Sequence, residues 1–261
     1  MLSCGFRFRA NMEFYDRGFR FHGIRRADYR TILERIAMAQ ELQIYTSISK
    51  LNETNMYLIV NQQSDHAILI DPSDVAAACQ WIENKALQLD YILLTHEHYD
   101  HISALNEIRK VFSAEVIASA ACSAGIQRPE INLSKFFNLV LDFRKDRGLT
   151  KEPQPKVHPY SAEKAEHTFD DSLELEWQGH KIQLWSAPGH SKGGTLINCD
   201  GKYLFSGDTL SYEYELITSF PGGSKKEYRN VTKPLLLGLD KAMKVYPGHG
   251  RSFLLEEAAI V

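Results

Sequence analysis

Tyr91-Ile92-Leu93-Leu94-Thr95-His96-Glu97-His98-Tyr99-Asp100-His101 runs from a wholly apolar segment into three imidazoles and the Asp100 carboxylate within six residues. A short apolar run of this kind reads as a strand sandwiched between covering layers. A loop leaving such a strand at a sheet edge can fold several short side chains toward one point. Burying these groups without partners is costly, and borderline-soft divalent ions take nitrogen and oxygen ligands of this kind. Taken alone, the cluster is also compatible with a chance surface patch of histidines.

Three more stretches weigh against chance. Ala187-Pro188-Gly189-His190-Ser191 follows the strand-like KIQLWSA, Phe205-Ser206-Gly207-Asp208-Thr209 follows KYLF, and Tyr246-Pro247-Gly248-His249-Gly250 follows KAMKV. Each places one ligand-type side chain just past a strand, beside a glycine that lets the backbone turn tightly. Four strand-end loops therefore offer metal ligands to a common rim.

Outward from these loops the pattern is mixed. IYTSIS (44–49), MYLIV (56–60) and AILIDPS (67–73) are rich in β-branched and aromatic residues and end at turn formers. DVAAACQWIENKAL after Pro72 has helical spacing, with Val75, Cys79 and Ile82 on one side. SALNEIRKVF reads as a helix and AEVIAS as a strand; LELEW, KIQLWSA, GGTLINC and KYLFSGD return to strands. Strand, helix and buried strand in succession predict an α/β layered fold. Residues from about 121 to 170, with Pro129, Pro153, Pro155 and Pro159, read as an irregular, partly helical insertion, and long connections of that sort often form lids.

H-x-H-x-D-H followed by a single His, a single Asp and a final His resembles the metallo-β-lactamase superfamily, and the resemblance spans about Ile44 to Arg251. It implies a four-layer αββα sandwich of two mixed β-sheets. The domain is expected over 41–261, behind an N-terminal extension over 1–40 set apart by its basic and aromatic composition. By position, His96, His98 and His190 would hold a first metal, and Asp100, His101 and His249 a second, with Asp208 bridging. The ligand set is similar to that of hydroxyacylglutathione hydrolases, in which a hydroxide between two ions attacks a carbonyl. Asp100 would orient that nucleophile as well as bind. The implied cofactors are two divalent ions, zinc first, with iron or manganese as alternatives. Asp71 is read either as outer support for the ligands or as a turn former before Pro72; Tyr57 falls near the site floor, and Thr95 and Thr209 are candidates to hydrogen-bond ligands.

Bulk properties agree with a compact enzyme. The 261 residues are 44% hydrophobic, with a formal net charge of -3. That is enough for one large domain and supplies no global pull toward polyanions. Cys4, Cys79, Cys122 and Cys199 form no C-x-x-C pair and no dense disulfide framework. Arginines and aromatics interrupt the first forty residues before a signal-peptide core can form, and no run approaches a membrane span. The Phe6, Phe8, Arg7 and Arg9 alternation there could touch nucleic acid or membrane, but reads better as an extension packed on the domain. The expectation is a cytoplasmic protein, monomer or homodimer, acting on a small-molecule substrate, with no nucleic-acid or membrane partner.

The expected reaction is hydrolysis of a thioester, ester or lactone. Two alternatives stand beside it: a mononuclear iron dioxygenase of persulfides, and a metal-containing binding protein without efficient turnover. His96-Glu97 is not the start of a helical zincin motif, because Asp100 stands where the second histidine is required. Pro221-Gly222-Gly223-Ser224 lacks the context of a phosphate loop. His158, His167 and His180 read as ordinary surface or core residues. Relatives of this type often carry a glycine-rich G-C-G-R segment after the Asp, whereas Ser211-Tyr212-Glu213-Tyr214-Glu215-Leu216 stands here. The chain also stops soon after His249, where glutathione-specific relatives continue into a helical domain, so glutathione specificity is not expected. An apolar acyl or lactone substrate fits best, under a roof that includes Phe136, Phe137, Phe143 and Tyr160.

Overall fold

The computed structural model describes residues 42–146, 148 and 154–260. The arginine- and aromatic-rich extension over 1–40, and the helix expected from Asp28 to Gln40, lie outside the described residues.

Strand β2 (Asn55–Asn61) is buried along its whole length. Its odd and even residues serve different cores because successive side chains point to opposite faces. Met56, Leu58 and Val60 pack with Ala78, Ile82, Leu105 and Ile108 of a helical layer. Tyr57 and Ile59 pack instead with Leu184, Ile197 and Phe205 of a second sheet. That sheet's outer face contributes Leu196, Leu204 and Val245 to a third core with Tyr228 and Leu236. Apolar residues on both faces of each sheet thus require helix, sheet, sheet and helix in four layers.

The first sheet runs β1 (Leu42–Ile48), β2, β3 (His66–Ile70), β4 (Gln88–Leu93), β5 (Glu115–Ser119) and β6 (His167–Phe169). β1, β2 and β3 pair antiparallel, and β3 to β6 pair parallel. Parallel neighbours need crossovers. The helix Val75–Asn84 supplies the one between β3 and β4, its first turn capped by Asp74, which accepts from the Ala77 N–H at 3.0 Å. The second sheet runs β7 (Ser172–Trp177), β8 (His180–Ser186), β9 (Thr195–Cys199), β10 (Tyr203–Gly207), β11 (Lys244–Pro247) and β12 (Phe253–Leu254), adjacent in that order. Only β10 and β11 are parallel.

The helix expected over SALNEIRKVF is present as Leu105–Val111, and a separate short helix, Tyr99–Ile102, precedes it, so helical backbone begins inside the histidine motif. The strand expected from KAMKV begins only at Lys244. The segment 121–170 holds most of one helix, Ala120–Ile126, all of another, Phe137–Asp146, and the edge strand β6. Among the described residues no helix is long and apolar enough to cross a membrane.

Candidate metal centre

Loops leaving β4, β8, β10 and β11 bring His96, His98, His190, Asp208 and His249 together, and the helix Tyr99–Ile102 adds Asp100 and His101. An aromatic block supports two of these loops from below. Phe205 near the end of β10 stacks on Tyr246 of β11 at 5.0 Å, and Tyr57 meets both rings edge-on at 5.2 and 5.4 Å. Tyr57 therefore lies under the site and not in it; its hydroxyl donates to the Pro247 carbonyl at 2.5 Å. Asn55 closes the same turn, donating from Nδ2 to the carbonyls of Pro247 and Gly250 at 3.0 and 2.8 Å.

Ligand-type atoms fall into groups that each lie within 4.8 Å: His96, His98 and His190 form one, and Asp100, His101 and His249 another. Asp208 lies between them. Its Oδ2 is 3.4 Å from His190 Nε2 and 3.6 Å from His249 Nε2, while Oδ1 is 3.3 Å from His101 Nε2. A third grouping, Asp71 with His96 and His101, has the same compactness. Asp71 is already committed, however. It accepts from the Thr95 N–H at 2.8 Å, from Thr95 Oγ1 at 2.6 Å and from His101 Nδ1 at 3.0 Å. It does so at φ 51°, a left-handed conformation that aspartate tolerates better than most residues, so turn formation and ligand support coincide in one residue.

The outer partners fix tautomers. His190 Nδ1 faces the Ile217 carbonyl at 2.9 Å and His249 Nδ1 the Glu53 carbonyl at 3.3 Å. A carbonyl only accepts, so the proton sits on Nδ1 and the Nε2 lone pair points inward. His101 is fixed the same way by Asp71. Thr95 Oγ1 spends its proton on Asp71 and so accepts from His96 Nδ1 at 3.1 Å. The result is a set of buried inward atoms, His96 Nε2, His101 Nε2 and Asp208 Oδ1, with no hydrogen-bond partner among the described residues. His98 Nδ1 also faces His190 Nε2 at 3.0 Å, so two nitrogens converge that cations could satisfy together. Buried, converging nitrogen and oxygen atoms of this kind fit a bound metal.

The carboxylates are held too. Asp100 Oδ2 accepts from Asn52 Nδ2 at 2.7 Å and from Thr54 Oγ1 at 3.0 Å. Neither residue is marked out by the sequence, because the β1–β2 turn that delivers them is defined only once the sheet forms. Glu97, set aside above as a motif decoy, is fully buried; it accepts from Ser191 Oγ at 2.9 Å and ties the His190 loop to the His96 loop. Burial pushes its carboxyl up. Thr209 contributes a backbone turn to the Ser206 carbonyl at 3.1 Å. His180 is buried against Asp200 at 2.7 Å, His167 sits exposed beside Glu115 and His158 is exposed, all away from the site.

Charges within the cluster oppose each other by design of its neighbours. Burial pushes His96, His98 and His190 down, His98 to about 3. Burial acts the same way on His101 and His249, but the Asp100 and Asp208 carboxylates outweigh it and raise both, His249 to about 9. The metal-free protein is therefore expected to be most stable near pH 6.5. Toward acid, histidines that stay neutral when folded take up protons from 6.5 downward only in the unfolded chain. Toward alkali, stability held by protonated His101 and His249 is lost as pH rises from 6.5 through about 9. Thermal unfolding of chelator-treated protein checks this; metal loading should remove the alkaline fall, because cations replace those protons. A profile unchanged by metal would contradict it.

The cleft above the ligands is lined by Asn52, Val140, Phe143, Arg144, Tyr214, Ile217 and Phe220, beside His190, Asp208 and His249. Of the four aromatics expected to roof it, Phe143 does. Phe137 is buried in a separate small core with Leu51 and Leu141, Tyr160 packs on Tyr99 at 5.2 Å, and Phe136 is exposed outside the lining. The Ser211–Leu216 stretch forms a wall as expected, through Ser211, Tyr214 and Glu215, while Tyr212 lies under the Arg251 guanidinium at 3.5 Å.

Comparison with known proteins is consistent with this geometry. The family profile described as the Metallo-beta-lactamase superfamily matches residues 50–249. A probable metallo-hydrolase of Streptococcus pyogenes is 30% identical over 214 residues, covering 81% of this chain and 85% of the relative. A hydroxyacylglutathione hydrolase of Pelagibacter ubique is 39% identical over 210 residues, covering 80% and 70%. Other hydroxyacylglutathione hydrolases are matched over only 64% of their length. Among solved structures, the BLEG-1 B3 metallo-beta-lactamase superposes with a TM-score of 0.68 at 24% identity, over 82% of this chain and 95% of that one.

Proposed function

The chain belongs to the metallo-β-lactamase superfamily, and within it we propose a dinuclear metal-dependent hydrolase acting on a small thioester, ester or lactone. The carrying observation is the pair of buried, partnerless nitrogens His96 Nε2 and His101 Nε2, whose outer nitrogens are already committed, converging with Asp208 Oδ1. His96, His98 and His190 are assigned to one ion and Asp100, His101 and His249 to the other, with Asp208 shared. Zinc is the first choice, iron or manganese the alternatives. Divalent ions there supply an activated water at neutral pH and positive charge for the developing oxyanion.

The protein's own groups do the rest. Asn52 and Thr54 fix the Asp100 carboxylate, so it can accept a hydrogen bond from the attacking water and hold it in line with the carbonyl. Val140, Phe143, Ile217 and Phe220 give the acyl group an apolar wall and keep bulk water from the reacting carbon. Lys225, Lys226 and Arg229 are solvent-exposed and none of them lines the cleft.

Elemental analysis of purified, metal-reconstituted protein, paired with a panel of thioesters, lactones and phosphodiesters, tests the proposal. About two ions per chain with turnover of the carbonyl substrates is the expected result. A single iron with oxygen uptake on a persulfide would replace it with the dioxygenase reading. Protein that takes up no metal would leave neither.

A further inference from the structure

Building on the hydrolase reading, we propose that the cleft selects acyl substrates bearing a carboxylate at the end remote from the scissile carbonyl, and that Arg144 reads that carboxylate. The helix Phe137–Asp146 is anchored by Phe137 and Leu141, which are buried with Leu51, Leu133 and Val157. Its Val140, Phe143 and Arg144, spaced by three and four residues and so sharing one face, line the cleft that also holds His190, Asp208 and His249. Arg144 is thus the cation that the helix presents to an otherwise mainly apolar wall.

Its guanidinium is held but underused. The side chain is 16% exposed, and its Nε is buried with no hydrogen-bond partner among the described residues. Among the described residues the ion partner in reach is Glu53, with Oε2 3.9 Å from the guanidinium and a side chain 53% exposed. That separation is at the limit of an ion pair, and an exposed pair of this kind is weak. A partly desolvated fork of five donors is a receptor for a planar two-oxygen anion. Glu53, mostly in water, can turn away when such an anion arrives. Glu215, also in the lining, is exposed and has the wrong sign for an anion, which leaves Arg144 to receive it. Among the described residues that line the cleft, Arg144 carries the one guanidinium, and it matches a single carboxylate charge away from the ligands.

The test uses the full-length, metal-loaded protein with two esters of equal acyl length, 4-nitrophenyl hexanoate and the mono-4-nitrophenyl ester of adipic acid. Wild-type protein should prefer the adipate ester by about tenfold or more in kcat/KM, mostly through KM. Arg144→Gln should bring the ratio close to one, and Arg144→Lys should restore only part of it, because a lysine lacks the bidentate fork. Taking the ratio within one preparation cancels any loss of fold or metal. Calorimetric binding of adipate against hexanoate, which needs no turnover, separates this proposal from the hydrolase reading. If neither ester is cleaved, the hydrolase reading fails, and tighter adipate binding that Arg144→Gln abolishes still upholds the anion site. Equal kcat/KM for the two esters, or equal binding where neither is cleaved, overturns it.

Discussion

Asp208→Ala is expected to yield a folded protein that retains little metal and has activity reduced by more than the roughly 10–100-fold typical of losing an outer partner of a ligand. Asp208 approaches His190, His249 and His101 at 3.4, 3.6 and 3.3 Å, so its carboxylate faces both ligand groups. Without it, each group has three protein ligands and nothing shared, and the second keeps only Asp100 as an anion to offset the cations' charge. The fold should survive, because Asp208 is the most exposed of the assigned ligands, at 19% of its side chain, and anchors no core cluster. Asp71→Asn is the matched comparison. The shorter-range loss there is the acceptor for His101 Nδ1 and for the Thr95 hydroxyl. The imidazoles would keep their inward nitrogens but lose their set orientation, so metal should bind more weakly without vanishing. Metal content per chain by elemental analysis, with circular dichroism to check folding, distinguishes the two. Asp208→Ala protein that holds its ions as firmly as Asp71→Asn would remove the shared-ligand assignment.

How much of this could be read in advance depends on whether a feature is local. Strand β2 was legible because a run buried on both faces needs no alternation, and MYLIV has none. The histidine motif was legible because its ligands sit within six residues. The single His190, Asp208 and His249 were legible from a repeated local grammar, an apolar strand followed by a glycine and one ligand. Asn52, Thr54 and the Ile217 carbonyl were not, since each reaches its partner from a turn or loop whose place is fixed only by the finished sheets. Strand β6 was missed for a related reason: His167-Thr168-Phe169 is too short to show a period, and its strand character comes from pairing with Ile117, Ala118 and Ser119. Glu97 shows the limit from the other side. Its neighbours suggested a motif, but its burial and its tie to Ser191 follow from the packing of two loops against each other. Gly193 leaves room for it, because a Cβ there would run into the Glu97 carboxylate.

Gly248→Ala is expected to lower stability by about 1–3 kcal/mol, as overpacking typically does, and, unlike most such changes, to empty the site. A Cβ on Gly248 would collide with Asp208 Oδ1 and come within 2.6 Å of His101 Cε1. Both are assigned ligands, Asp208 shared by the proposed pair of ions and His101 on one of them, so neither can step back without leaving its metal. The backbone cannot yield either. The Gly248 N–H donates to the Gly207 carbonyl at 2.8 Å, and its own carbonyl accepts from the Asn55 N–H at 2.8 Å. One methyl group therefore has to displace a ligand or break one of these two bonds. Gly201→Ala is the control: its φ of 67° makes an alanine strained, but no atom lies within 4 Å of the added carbon and the turn is remote from the ligands. It should cost comparable stability while leaving metal content intact. Thermal unfolding and metal content measured on both variants separate steric exclusion at the site from general destabilisation. Equal metal retention by the two would mean that the β11 loop has more freedom than its two backbone hydrogen bonds imply.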